Sequence, residues 1–404
     1  MSSQLRLRPG VATFCLGVVA VSLVPGCPDR PGGAGHAAPA NAAARPAGMT
    51  VIDVTAPPYG AKCDCVVNPA TMEVTGTDDT DAVNRAIAAL PQAPIIGNAF
   101  GAGGGIIVVP ALCRVTSPIV ITKPYVTFQG VGTFNHATSS IPPSGLVFAP
   151  AKARSHAVTI AGTAPGCNFR DIGILTAPTG GAAVRSLSGQ LTLRGVKLHA
   201  LAGSRPGAVP NAADGTGLLI EGLQSNVRCI ESYVGGYSIG IEAANVPAFS
   251  MAECQVIGNG IGLRVGQTGG ASAVIYGNNC FQDNAIGNID IVRAGLVDIR
   301  GNYFEYGAGA GLPGWHNPFC VRVGNGSPDV PKSVAFTHNF VQGNVNAKAT
   351  AVIVSRVSGM QVEWNNFTGA TGTVVEDRGL AVTDLTVQLN QFEGAHGPIL
   401  KKVP

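Results

Sequence analysis

Along most of the chain apolar and polar residues alternate at period two, the signature of half-buried strands rather than helices. The stretch 249–266, FSMAECQVIGNGIGLRVG, consists of apolar pieces of three to five residues cut by Gly and Asn, with a lone charge at Arg264. Residues 230–242 (IESYVGGYSIGIE) match 252–264 (AECQVIGNGIGLR) at an offset of 22. An apolar anchor recurs at Ile174, Leu198, Val234, Val256, Phe281, Phe304, Phe340, Phe367 and Phe392. The steps are 22 to 27 residues, except for two of 36 that read as ordinary repeats carrying an inserted loop. Inward positions are expected five and seven residues before each anchor, such as Cys229 and Val227, Tyr276 and Val274, or Ala335 and Ser333. Two before the anchor come Ser232, Cys254, Asn279, Asn302, His338, Asn365 and Asn390, small or polar residues suited to a sharp bend. Such units bury little alone and build a continuous core when stacked, so the pattern predicts a solenoid. Asn stacked on Asn would hydrogen-bond along its axis and hold the bend. No leucine-rich-repeat pattern is present.

The exception to period two is DDTDAVNRAIAAL, residues 78–90. Asp78, Asp79 and Thr80 are expected to satisfy the free amides of a helix start. Ala82, Ile87 and Leu90 would face one side and plug the open end of the solenoid. With the segments around it, this run resembles the pectate-lyase-like right-handed parallel β-helix proteins. The likeness is to the subgroup with a GAK-D…TDDT…GGG-V-P start, the rhamnogalacturonase- and epimerase-like pectate lyase domain. The matching residues are Gly60-Ala61-Lys62, Asp64, Thr77-Asp78-Asp79-Thr80, Ala82, Ala86-Ile87, Gly103-Gly104-Gly105 and Val109-Pro110. The resemblance spans about 51–400 and implies an all-β, single-stranded right-handed parallel β-helix with an N-terminal capping helix. Cys65 stands where the pattern has Gly and an extra segment follows, while Ala111-Leu112-Cys113 replaces Gly-x-Tyr. The Asn-Thr-Asp, Asp-Asp and Gly-His-Gly motifs of the family's polygalacturonase branch are absent from the coils.

Composition agrees with many short strands and turns: 55 glycines, and only 12% charged residues against the roughly 25% of ordinary domains. The formal charge of +3 includes Arg6 and Arg8 near the start, and no basic run supports nucleic-acid binding. Residues 1–26 read as an export signal, a basic start and a short apolar core ending in Val-Pro-Gly before Cys27. That ending resembles a bacterial lipobox, which implies cleavage before Cys27 and its lipidation. Plain secretion and an uncleaved anchor are the alternatives, and all three place the domain outside the cytoplasm. The expected location is extracytoplasmic, with membrane attachment only through such an anchor. Residues 27–50 form a Pro/Gly/Ala-rich linker and 51–404 the solenoid domain. Eight further cysteines permit disulfides. Cys63 and Cys65 are too close to pair with each other easily and would need other partners, whereas Cys229, Cys254 and Cys280 read as free, buried and inert.

After each anchor a second strand follows, and its outward residue is Arg185, Glu221, Glu242, Arg264, Asp290, Arg322, Ser355 or Glu376 in successive units. With coils about 4.8 Å apart, Arg264 would sit between Glu242 and Asp290 in one charged row. A surface salt-bridge ladder is the bland account. The functional account is the floor of a sugar-binding groove, which in the resembled family commonly lies along such a face. The loops 202–215 and 307–318 would border it, the second carrying Trp315 and His316 as substrate-binding candidates. Glycoside hydrolysis needs two carboxylates, roughly 5–5.5 Å apart to retain configuration and about 6.5–9.5 Å to invert it. Glu242 with Asp290 would suit inversion and Glu221 with Glu242 retention. A lyase would use Arg264 or Arg322 as the stabilising cation. No cofactor is implied, and no aspartate cluster supports calcium. Asp298, Arg300 and Glu305 form a second cluster that reads as structural. His338 reads as a turn residue and Trp364 as packing. The expected partner is a polysaccharide. A non-catalytic glycan-binding adhesin is the rival reading and a phage-type spike a third.

Overall fold

A computed structural model describes residues 49–404, apart from 69, 93–102, 132–140, 151, 189, 203–208, 223–225, 307–317, 325–328, 344–348, 370–371, 395–396 and 404. It is a right-handed parallel β-helix. Each coil contributes three short strands, as in Val227–Ile230, Tyr233–Gly235 and Ile239–Ala243. These define a first, second and third face. Equivalent strands of successive coils pair in parallel register, for example Val227 with Phe249 and Ile239 with Ile261. The second faces form one sheet of 11 strands, and the first and third faces join in another of 21. Inward residues make a continuous buried core from Ile52 to Val375. Aromatic side chains stack between coils within it, as in Phe281 on Phe304 with ring centroids 5.1 Å apart, a contact worth about 0.5–1.5 kcal/mol beyond the area it buries.

The bend between the first and second faces carries the expected ladder. Asn279 Nδ2 donates to Asn302 Oδ1 at 2.8 Å, Asn302 to Asn339 at 3.1 Å, Asn339 to Asn365 at 3.0 Å and Asn365 to Asn390 at 3.0 Å. Each Nδ2 also reaches a carbonyl of the preceding coil, such as Ile299 O from Asn339. Cys254 takes the same place with its thiol, which donates to Cys229 O at 3.3 Å. A residue with positive φ precedes each rung, from Glu231 at 50° to Leu389 at 55°. A second, unforeseen ladder of buried Asn259 and Asn284 holds the bend between the second and third faces.

Two coils depart from the expected register. Phe304 pairs with Val341, so Val341 and not Phe340 is the inward anchor. The rung is therefore Asn339, and the inward first-face residues are Val334 and Phe336. His338 is exposed, takes the left-handed turn position at φ 56° and stacks on Trp364. Trp364 itself is 54% exposed, so it lies on the surface rather than in packing. In the coil of Phe281 the inward residues are Ala273 and Ile275, which turns Val274 and Tyr276 outward.

At the N-terminal end the helix Thr80–Ala89 buries Ala82, Val83, Ala86 and Ile87, with Leu90 following, against the core as a plug. The paired aspartates act differently from the expected cap. Asp79 makes no side-chain bond to the helix and instead accepts from the Lys62 and Cys63 amides. Asp78 accepts from the Thr80 amide at 3.1 Å and from the Thr116 hydroxyl. Asp64 accepts from the Thr77 amide and hydroxyl at 2.7 and 2.9 Å. The two halves of the sequence motif thus bind each other. A disulfide joins Cys63 to Cys113. The extra segment after Cys65 forms the hairpin Val66–Val67 with Val74–Thr75, which packs Cys65 and Val67 over Val147, Leu175 and Leu201 of the second face. Gly104 has φ +85°, and a Cβ there would meet Tyr125 O at 2.3 Å, so this glycine of the motif is sterically required.

Candidate functional site

The third-face register runs Arg185, Leu219, Glu242, Arg264, Asp290, Arg322, Ile353, Glu376. Arg264 lies between Glu242 and Asp290 as expected. Glu221 and Ser355 do not belong to the row. Leu219 and Ile353 occupy their places, because a slip of two residues keeps a side chain on its face while changing its neighbour. Glu221 follows the end of strand Thr216–Ile220 and reaches back to Arg185, with Nε to Oε2 at 2.6 Å.

The row is not an exposed ladder. Asp290 is only 2% exposed. Arg322 donates to both of its oxygens, Nε to Oδ1 at 3.0 Å and a terminal nitrogen to Oδ2 at 2.8 Å. Arg264 Nε approaches from the other side at 3.6 Å. The Arg322 guanidinium also lies 4.6 Å over the Phe319 ring. A carboxylate held by two charge-assisted bonds from Arg322 and flanked by Arg264 ties the row together and is strongly engaged as an ion. The expected inverting pair of Glu242 and Asp290 is therefore not available as two free carboxyls.

Glu242 differs. It is half-buried, and its carboxyl accepts no hydrogen bond among the described residues. Burial raises its pKa above the ordinary carboxylate value, with Glu221 adding to the rise and Arg264 opposing it. Glu221 is ion-paired with Arg185, while Glu242 has no such partner among the described residues. His156, which the sequence did not mark, borders the Arg185 end of the row. Its Nδ1 accepts from the Ala182 amide at 2.9 Å, so the neutral ring carries its proton on Nε2. Burial, then Arg185, lowers its pKa and keeps the ring neutral, against the pull of Glu221.

Trp315 and His316 lie outside the described residues. Of the loop that would border the other end, the described part is a short turn at Ala212–Asp214, capped by Asn211. The second cluster separates. Asp298 and Arg300 pair on the first face at 3.3 Å, whereas Glu305 projects from the second face beside Tyr303 at 3.4 Å. Burial and nearby Asp283 raise Glu305. Cys280 is half-exposed there rather than buried, and burial, then Glu305 and Asp283, push its thiol up to about 11. Cys63, Asp79 and Cys113 are the one grouping of potential metal-ligand atoms among the described residues, and the disulfide and the two amide bonds to Asp79 account for it.

Two solved structures superpose on this chain with a TM-score of 0.50. One is the Streptococcus pneumoniae surface protein and adhesin PfbA, 13% identical, with 88% of this chain and 100% of that one covered. The other is the DFA-IIIase from Arthrobacter chlorophenolicus A6 in complex with GF2, 13% identical, with 86% and 93% covered. The likeness at this identity is one of fold. The chain spans 60% of the length of a third similar structure, Geobacillus virus E2 ORF18, at 12% identity and a TM-score of 0.47. No family model and no curated protein matches the chain.

Proposed function

We propose that this protein is a polysaccharide-cleaving β-helix enzyme whose reacting site is the third-face row around Glu242. The carrying observation is the Glu242 carboxyl: half-buried, raised by burial, without a hydrogen-bond partner among the described residues, and next to Arg264. Such a group holds a proton at a pH where an ordinary glutamate has lost it, as a general acid for a glycosidic oxygen requires. Glu221, ion-paired with Arg185 in the coil before, is the charged carboxylate of the pair. Arg264, with Nε lacking a hydrogen-bond partner, is the cation that would meet developing negative charge or a uronate carboxylate. The reading extends the subgroup resemblance at residues 60–110 and includes export through residues 1–26, with lipidation at Cys27, which intact mass of the mature N-terminus checks.

The test is mass spectrometry of products released from a panel of acidic and neutral polysaccharides by the full chain and its Glu242→Gln variant. Products carrying an added water, lost in the variant while binding remains, are expected. Unsaturated products would move the reaction to a lyase centred on Arg264. Absence of any product from the panel would leave the row as a binding surface. That non-catalytic reading draws on the neutralisation of Asp290 by two arginines, a pattern that binds without reacting.

A further inference from the structure

The first face carries a feature that the third-face site does not use. Its outward row runs Thr127, Asn168, Thr192, Arg228, Ser250, Val274, Asp298 in register. Two cavities of about 320 and 380 Å³ lie end to end along it and share Asn226 and Arg228. Asn168 and Thr192 belong to one, and Ser250 and Tyr276 to the other. Together they cross five coils, a length of about 19 Å at the coil spacing. Arg228 is exposed at their junction, and its guanidinium makes no ion pair or hydrogen bond among the described residues. On the same face Arg194 and Arg300 are neutralised by Glu231 at 3.0 Å and Asp298 at 3.3 Å, and Arg170 does not line the cavities. Tyr276, turned outward by the register shift of its coil, is 46% exposed at the far end.

We infer that this groove is a second carbohydrate-binding site, separate from the Glu242 row, which takes a linear anionic polysaccharide with an acidic group on Arg228 and a sugar ring on Tyr276. Hydroxyl and amide side chains repeated once per coil suit an extended polymer with hydroxyls along its length. The one guanidinium that lines the cavities, unneutralised, selects an anionic polymer over a neutral one. Carboxylate and sulfate share this chemistry, and a lone cation in an otherwise neutral groove does not provide the run of charges that a nucleic acid requires. The inference stands on the first-face geometry and does not need the third-face row to react.

The experiment measures binding of the full chain to polygalacturonate, dextran sulfate and neutral dextran at low ionic strength. Retention on one or both anionic polymers and not on dextran is expected, and the two separate a carboxylate ligand from a sulfate one. Arg228→Ala should weaken binding roughly fivefold, as loss of one exposed ion pair does, and Arg228→Lys should restore part of it. Tyr276→Ala should weaken it as well. Arg170→Ala removes an exposed, unpaired arginine of the same face that does not line the cavities, and should bind as the parent does. No retention on either anionic polymer, an Arg228→Ala variant that binds like the parent, or an equal loss in Arg170→Ala would overturn the assignment.

Discussion

Asp290 and Glu242 stand two coils apart in the same row in opposite surroundings, one clamped by arginines and one without a hydrogen bond among the described residues, and a pair of substitutions can separate them. Asp290→Asn keeps the shape and removes the charge. Arg322 then loses both charge-assisted bonds, of 3.0 and 2.8 Å, and Arg264 loses its contact at 3.6 Å. Their side chains are only 20% and 22% exposed, so two guanidiniums are left facing each other with limited access to water. Breaking one partner out of a buried pair costs about 3–5 kcal/mol. Some relief comes if Glu242 ionises and turns to Arg264, which sets the expectation near the lower end. Glu242→Gln breaks no hydrogen bond among the described residues, and it removes a carboxyl whose charging burial already disfavours. Its stability change should stay within about 1 kcal/mol. Urea unfolding followed by far-ultraviolet circular dichroism measures both. At a slope of about 3 kcal/mol per molar, the Asp290 variant should shift its midpoint by about 1 M and the Glu242 variant by far less. Equal midpoints for Asp290→Asn and the parent would refute the clamp and return Asp290 to the reacting groups. The same numbers explain why a variant altered at both carboxyls would be a poor test of activity.

Two further predictions concern the fold. Asn339→Ala removes the acceptor of the Asn302 amide and the donor to Ile299 O, both buried, and should cost about 2–5 kcal/mol; His338→Ala, beside it but exposed, should cost under about 1 kcal/mol by thermal unfolding, and equal costs would return the rung to His338. His199 is buried with Nδ1 unpartnered, and burial, then Lys197, lowers its pKa to about 3. Lys197, Tyr233 and Tyr237 are the titratable groups around it, and no acidic group contributes to its shift. Its neutral form is the one that folds, so the stability it protects is fully present above pH 6.5, the ordinary value, and drains away as pH falls toward 3. The slope is at most about 1.4 kcal/mol per pH unit. His199→Gln should flatten the stability profile between pH 6.5 and 4.5, and an unchanged profile would contradict the buried neutral ring.

The repeat was legible because an inward residue every two positions and a polar rung every coil are properties of composition at fixed spacing. The anchors Val234, Val256, Phe281, Phe304, Phe367 and Phe392 all lie inward or against the core. The reading slipped where apolarity stopped distinguishing the two sides of a strand. Phe340 is the more hydrophobic of two neighbours, yet it stacks outward on Tyr303, with centroids 5.7 Å apart, while Val341 turns in. Asn339, which continues the run of asparagines, carried the better signal. Glu221 was misplaced for a different reason: a two-residue slip preserves face and period, and only pairing with the next coil reveals it. The alternation Arg264, Asp290, Arg322 was readable from spacing, but not that Asp290 is buried, since burial depends on what covers the row. His156 precedes its strand, outside any period, and nothing in the sequence separates it from a chance histidine.

The row's charge depends on a single proton. Arg185 is answered by Glu221, and Asp290 answers one of the two arginines that hold it. Three guanidiniums against these two carboxylates leave one positive charge while Glu242 keeps its proton and none once Glu242 ionises. The protonated row therefore favours an anionic sugar unit near Arg264. Such a ligand would disfavour ionisation of Glu242 further, since a second negative charge would compete for the same arginine. Binding and readiness to donate a proton would then reinforce each other, as an acid-first cleavage needs. A base-first elimination asks the reverse, a carboxylate that has lost its proton beside a substrate carrying negative charge, and the burial that raises Glu242 works against it. Under the proposed function, the electrostatics of the row thus suit Glu242 as an acid in hydrolysis better than as the base of a lyase.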